Sequence, residues 1–165
     1  MNNQPYQPPN NNPSRFSATS DYHREEKEFE EKVVEIKRVS KKTKGGNQIG
    51  FTALVVIGNK NGQIGKGHAY AKDVSSAIQK AIRRAKRSLI TIPLKDGTIS
   101  RPLSLKFKAA QIIIRPGRLG GGLVAGGPVR IIAELAGIKH LVAKIKGSRN
   151  KHANVTCVFK AFSKL

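Results

Sequence analysis

Val34, Ile36 and Val39 alternate with Glu35, Lys37 and Arg38, the two-residue period of a half-buried strand. FTALVVIG, residues 51–58, is apolar and β-branched and predicts a central strand. Between the two, KKTKGGNQIG breaks the alternation with three lysines and Gly45-Gly46. NKNGQIGKG then predicts a turn with Asn61-Gly62 as the favoured hairpin pair, leading into a short strand around His68 to Ala71. From there the period lengthens. Val74, Ala77, Ile78, Ala81, Ile82, Ala85 and Leu89 recur at three- and four-residue steps, a helix with Asp73 at its N-cap. Lys80, Arg83, Arg84 and Arg87 fall on the opposite face, with Lys86 nearby. Three strands and a helix make a small unit in which the helix covers an antiparallel sheet.

Pro93, Asp96-Gly97 and Pro102 punctuate the chain and place a domain boundary near residue 95. Beyond it Leu103, Leu105 and Phe107 alternate with positions that include Lys106 and Lys108, and QIIIR predicts a buried strand. A glycine-rich stretch, RPGRLGGGLVAGGPVR, leads into IIAELAG, a short helix closed by Gly137. LVAKI is open between strand and helix. NVTCVFKAF alternates well enough for a last strand, or a strand turning into a short helix. At the other end, residues 1–24 hold few apolar residues and many Asn and Pro, and are expected to be a disordered tail carrying no export or transit signal. EEKEFEEK follows and is expected to form one or two helical turns, with Lys27–Glu31 and Glu28–Lys32 at the helical four-residue spacing.

Charge changes the picture more than length does. The 165 residues carry 31 Lys and Arg against 10 Asp and Glu, a net +21. Its distribution is lopsided: residues 1–35 hold seven acids and four bases (−3), and the remaining 130 hold 27 bases and three acids (+24). Such a domain repels itself within a Debye length of about 8 Å, and a polyanion relieves that repulsion while releasing condensed counterions. The partner implied is nucleic acid. No apolar run approaches the roughly 20 residues of a membrane span.

Chemistry narrows the choice further. The one cysteine, Cys157, sits in an apolar run, allows no internal disulfide framework or thiolate cluster, and reads as a buried inert thiol. His23, His68, His140 and His152 have no metal-ligand spacing and stand in no catalytic constellation. Lys41-Lys42-Thr43-Lys44-Gly45-Gly46 puts three ammonium groups beside two residues that tolerate positive φ. Such a loop can lie along a phosphodiester chain or enter a groove; its bland alternative is a solvated hairpin tip. Gly120-Gly121-Gly122 and Gly126-Gly127-Pro128 could cradle phosphate at a helix N-terminus. They spell neither the Walker pattern nor the dinucleotide fingerprint. They faintly resemble the phosphate loop of homoserine- and mevalonate-type kinases, but Glu134 is the one acid after Asp96 and belongs by pattern on an apolar helix face.

Taken together, VVEIKRVSKKTKGGNQIGFTALVVIGNKNGQIGKGHAYAKDVSSAIQKAIRRA, GTISRPL, GGLVAGGPVRIIAELAGIKHLVAK and GSRN closely resemble the bacterial-type small-subunit ribosomal protein five family, from about Phe29 to the C-terminus. The resemblance implies an α+β protein: a domain like the double-stranded-RNA-binding fold over residues 25–95, then a βαβ-type domain with a left-handed crossover over 96–165. It implies no enzymatic activity and no cofactor or metal. The expected place is a small ribosomal subunit, cytoplasmic or organellar, with subunit assembly, decoding accuracy and messenger entry as the tasks.

The implied partners are 16S ribosomal RNA, messenger RNA near the entry channel, and ribosomal proteins four and eight; membrane and homo-oligomer are not implied. Arg38, Val39, Ser40, Lys41, Lys42, Lys44, Gly45 and Gly46 match the family's RNA-reaching hairpin, and the basic helix face adds Arg83, Arg84 and Arg87. Gly121, Gly122 and Arg130 fall at the family's protein contact. Asn150-Lys151-His152 departs from the family's usual Asn-Pro. A free-standing double-stranded-RNA regulator and a kinase-like ATP-binding enzyme stay as rival readings.

Overall fold

The computed structural model describes residues 29–165; the Asn/Pro-rich tail, the start of the expected first domain, and Lys27 and Glu28 of the expected helical pairs lie outside them. The elements run β1 (Glu30–Thr43), β2 (Gly46–Gly58), β3 (Gln63–Ala71), α1 (Val74–Arg87), β4 (Leu89–Thr91), β5 (Leu94–Lys95), β6 (Thr98–Ile99), β7 (Leu103–Phe107), β8 (Ala110–Pro116), β9 (Leu123–Val124), α2 (Gly127–Ala136), β10 (Leu141–Gly147) and α3 (Lys151–Phe162). One sheet has the order β1-β2-β3-β4 with antiparallel neighbours. A second, β7-β8-β10-β9, is mixed, because β9 and β10 run parallel across the α2 crossover, and β5-β6 form a small two-stranded third. This is an α+β protein with an antiparallel sheet and helix first and a mixed sheet with helices second.

The unbroken apolar run of β2 follows from burial on both faces. Ala53, Val55 and Ile57 face α1, packing with Ala69, Ala71, Ala77, Ala81 and Ala85. Leu54 and Val56 face the other way, into one core with Ile112, Ile132, Leu141, Val158 and Phe162 of the second half.

The turn expected over NKNGQIGKG is shorter than the sequence suggests. Asn59 to Gly62 make the connection: the Asn59 side-chain oxygen accepts from the N–H groups of Asn61 and Gln63, and Lys60 takes φ 59°. Gly65, Lys66 and Gly67 belong to β3 instead. Their glycines are there for packing: a Cβ on Gly67 would lie 1.8 Å from the Ala81 carbonyl oxygen, and one on Gly65 2.5 Å from that of Ala85. The α1 backbone rests directly on the strand.

Three other expectations change. Glu30 to Lys32 lie in β1, not in a helical turn, because pairing with β2 overrides two local ion pairs worth a few tenths of a kcal/mol. Ile36 and Val39 are 43% and 36% exposed, since β1 is an edge strand with a bulge between Val33 and Glu35. NVTCVFKAF is helical: α3 is capped by Asn150, whose side-chain oxygen accepts from the His152 N–H. Every residue from Ala153 to Phe159 is buried, and a helix covered all round shows no polar stripe to reveal its period. Asp73 does stand at the N-cap of α1, but its side chain makes no capping bond. Cys157 is buried, with its thiol against the carbonyls of Leu105 and Ala110, and burial raises its pKa.

Where α3 meets the first sheet, the His68 and His152 rings stand edge to face with centroids 4.9 Å apart, beside Glu35, Lys37, Thr52 and Leu54. Desolvation first, then His68, Lys66, Lys108 and Lys37, hold His152 below its ordinary pKa of 6.5. The unfolded chain therefore takes up this proton more readily than the folded one. The contribution is complete above the ordinary value and is lost as pH falls through the lowered one. The melting temperature is expected to drop between pH 7 and 5, and His152→Gln to flatten part of that drop in a calorimetric pH series.

Candidate nucleic-acid interface

β1 and β2 outrun the rest of their sheet. Their register continues through Val39↔Gly50, Lys41↔Gln48 and Thr43↔Gly46, whereas β3 ends opposite Phe51. Beyond that point the two strands form a free arm whose residues 38–49 are all exposed. Lys44 and Gly45 make its two-residue tip. Gly46 takes φ 119°, a conformation side chains resist, and the Thr43 hydroxyl donates to its carbonyl at 2.8 Å. Strand alternation puts Arg38, Ser40 and Lys42 on the α1 side and Val39 and Lys41 on the other. The basic segment is thus a two-faced ribbon and not an irregular loop. Among the described residues, Lys41, Lys42 and Lys44 have no ion-pair partner.

Arg83, Arg84 and Arg87 are exposed on α1, and Arg84 is partly committed, donating to the His68 carbonyl at 2.6 Å. The structure does not bring them to the hairpin tip. Ala85 lies against Gly65 and Ile57, so the arginine end of α1 is level with the far end of β2. From Ile57 to Gly46 the strand covers about 35 Å. The hairpin and the helix face, named separately in the sequence, are separate in space too: Arg84 reaches His68, which pairs with Leu54, and the hairpin tip lies beyond the end of β3.

In the second half, residues 117–122 join β8 to β9. Gly120 and Gly122 take φ 82° and 64°, with open space where their Cβ atoms would stand. The Gly121 N–H donates to the Arg118 carbonyl. Arg130 reaches back from α2 to the Leu123 carbonyl at 3.0 Å, so Gly121, Gly122 and Arg130 do come together. Two features escaped the sequence reading. Leu119 within this loop and Val124 just after it are 80% and 57% exposed, an apolar surface hidden in the sequence by its neighbouring glycines. Glu134 lies on no apolar face: it pairs with Lys32 of β1 at 2.8 Å. That pairing raises the lysine pKa and ties α2 to the first sheet.

Residues 29–93 match the family described as ribosomal protein S5, N-terminal domain, and residues 105–165 match ribosomal protein S5, C-terminal domain. The small ribosomal subunit protein uS5 of Treponema pallidum (strain Nichols) is 43% identical over 140 residues, 85% of this chain and 81% of that protein. That of Pelagibacter ubique is 48% identical over 135 residues, covering 81% and 79%. That of Thermotoga petrophila is 46% identical over 123, covering 74% and 69%. With both domains of the family matched in order and relatives 43–48% identical over most of the chain, the chain belongs to the ribosomal protein S5 family.

Proposed function

We propose that the protein grips 16S ribosomal RNA through two separate basic surfaces, the β1–β2 arm and the arginine end of α1. Family membership makes it a structural component of the small ribosomal subunit, with ribosomal RNA and other ribosomal proteins as partners, and not an enzyme. The arm carries the residue-level reading. An isolated two-stranded ribbon is marginal in water, and this one buries nothing of its own from Arg38 to Ile49; it gains a partner by docking. Its lysines, with Val39 and Ile49 exposed between them, suit the phosphates and shape of folded RNA, whose A-form helices hide most base edges.

The exposed loop at Gly121, Gly122 and Arg130, with Leu119 at its crest, suits a protein neighbour, and ribosomal proteins four and eight are the proposed ones. Messenger RNA passing near the entry is a further proposed contact of the basic surface. The division into units of 25–95 and 96–165 belongs to the same reading.

The test is the salt dependence of binding to 16S ribosomal RNA. Affinity is expected to fall with a log–log slope of about 0.7 to 0.9 per phosphate neutralised. A slope near zero between low and physiological salt overturns the proposal.

A further inference from the structure

Seven of the ten acids fall within residues 1–35, and Phe29 sets where that acidic stretch enters the fold. Phe29 is partly buried against the core beneath α1, as are Ile78 and Ile82. Two residues on, Glu31 joins Gln79, Ile82, Arg83 and Lys86 around a groove of about 280 Å³ between the start of β1 and the helix. The chain therefore enters β1 on the flank of α1, at the opposite end of the strand from the arm.

The helix it passes is purely cationic. Residues 74–87 hold Lys80, Arg83, Arg84, Lys86 and Arg87 and no acid. All five are exposed, and none has an ion-pair partner among the described residues. Immediately before Phe29 the sequence reads DYHREEKE, with Asp21, Glu25, Glu26 and Glu28 against Arg24 and Lys27, a net −2. At about 3.3–3.6 Å per residue, Glu25, Glu26 and Glu28 lie within roughly 14 Å of Phe29, and Asp21 within roughly 29 Å. The groove is in reach of all of them. Lys41, about 40 Å along β1 from Phe29, is not. A single exposed ion pair contributes little, but a segment joined directly to the groove's edge is present at an effective concentration on the order of millimolar, and its carboxylates act together.

We propose that in the free protein residues 21–28 occupy this groove, Glu25, Glu26 and Glu28 facing Arg83, Lys86 and Arg87, and that RNA displaces them to reach the helix. The acidic segment is a built-in competitor for the second basic surface. The competition rests on the RNA-binding reading of α1 above; the contact itself does not.

Two measurements test it. Carbodiimide treatment of the dilute full chain, without RNA and at low salt, couples a carboxylate to a neighbouring lysine amine with loss of water. Peptide mapping is expected to find residues 21–28 joined to Lys86 in the monomer, and the product to vanish at about 1 M salt, where the Debye length is about 3 Å. Absence of that product overturns the proposal, and so does its appearance in a dimer alone, which would make a second copy the occupant. The second measurement is affinity for 16S ribosomal RNA. Asp21→Asn with Glu25→Gln, Glu26→Gln and Glu28→Gln is expected to bind about fivefold tighter than the parent, the effect of a few exposed pairs. In a chain already carrying Arg83→Ser and Lys86→Ser, the same four substitutions are expected to change affinity by less than about twofold, because their target is gone. An equal gain in both backgrounds overturns the proposal, since the acids would then act through net charge alone. Failure of every variant to bind RNA counts against the RNA-binding reading, and the coupling product alone then decides the contact.

Discussion

Gly67→Val is expected to lower the melting temperature by about 10 °C, the shift that follows from losing ~3 kcal/mol in a chain of this size. A Cβ at Gly67 would meet the Ala81 carbonyl oxygen at 1.8 Å, its carbon at 2.7 Å and the Ala85 nitrogen at 2.9 Å. All three are α1 backbone, and no rotamer change can move them aside. The helix must lift instead. Its buried side chains Ala77, Ala81 and Ala85 are too short to bridge the gap, and a radial opening of 0.5–1 Å already forfeits about a quarter to a half of each contact. Ser88 would be pulled from the Lys66 carbonyl, 2.8 Å away, and Arg84 from that of His68. Gly45→Ala is the matched control: its Cβ meets nothing within 4 Å, and it should melt with the parent protein. Thermal unfolding followed by circular dichroism separates the two. A Gly67→Val protein melting with the parent would mean that α1 does not rest on β3 as described.

The same contact shows why some elements were legible in the sequence and others were not. The spacing of Ala77, Ala81 and Ala85 announces a helix, and the choice of alanine follows from how closely α1 must approach the strand. Gly65 and Gly67 read as turn residues because, taken alone, glycine signals conformational freedom; here it supplies absence of volume, which no local pattern displays. Asp96-Gly97 is a true turn pair, with φ 52° and 72° closing the β5–β6 hairpin. α3 was illegible for a different reason. From Ala153 to Phe159 the core surrounds it, so neither period stands out, and the informative signal was the Asn150 cap. Of the candidate site, residue identity was legible and arrangement was not. Lysines 41, 42 and 44 declare a polyanion partner by charge alone. Their mounting on an arm roughly 20–35 Å along the strand from the arginines of α1 is set by strand register, which depends on partners distant in sequence.

That separation gives the triple substitution Lys41→Ser, Lys42→Ser and Lys44→Ser a particular signature. At 0.1 M salt it is expected to weaken binding to 16S ribosomal RNA on the order of a hundredfold, and to reduce the log–log salt slope by roughly 2 to 3, if each lysine neutralises one phosphate. The melting temperature should stay within about 1–2 °C of the parent, because all three side chains are exposed and surface substitutions of this kind change stability by about 0.5 kcal/mol or less. A structural hairpin tip would behave the opposite way, losing stability and leaving the slope alone. Arg83→Ser with Arg87→Ser provides the contrast: two contacts fewer, a slope lower by about 1.4 to 1.8, and a change in RNA footprint at a different place from that of the arm. Footprints that shift at one shared place would mean the two surfaces grip one RNA element. Footprints that shift apart would show a protein bridging two, and such a bridge is what two cationic surfaces on opposite ends of one rigid sheet are built to make.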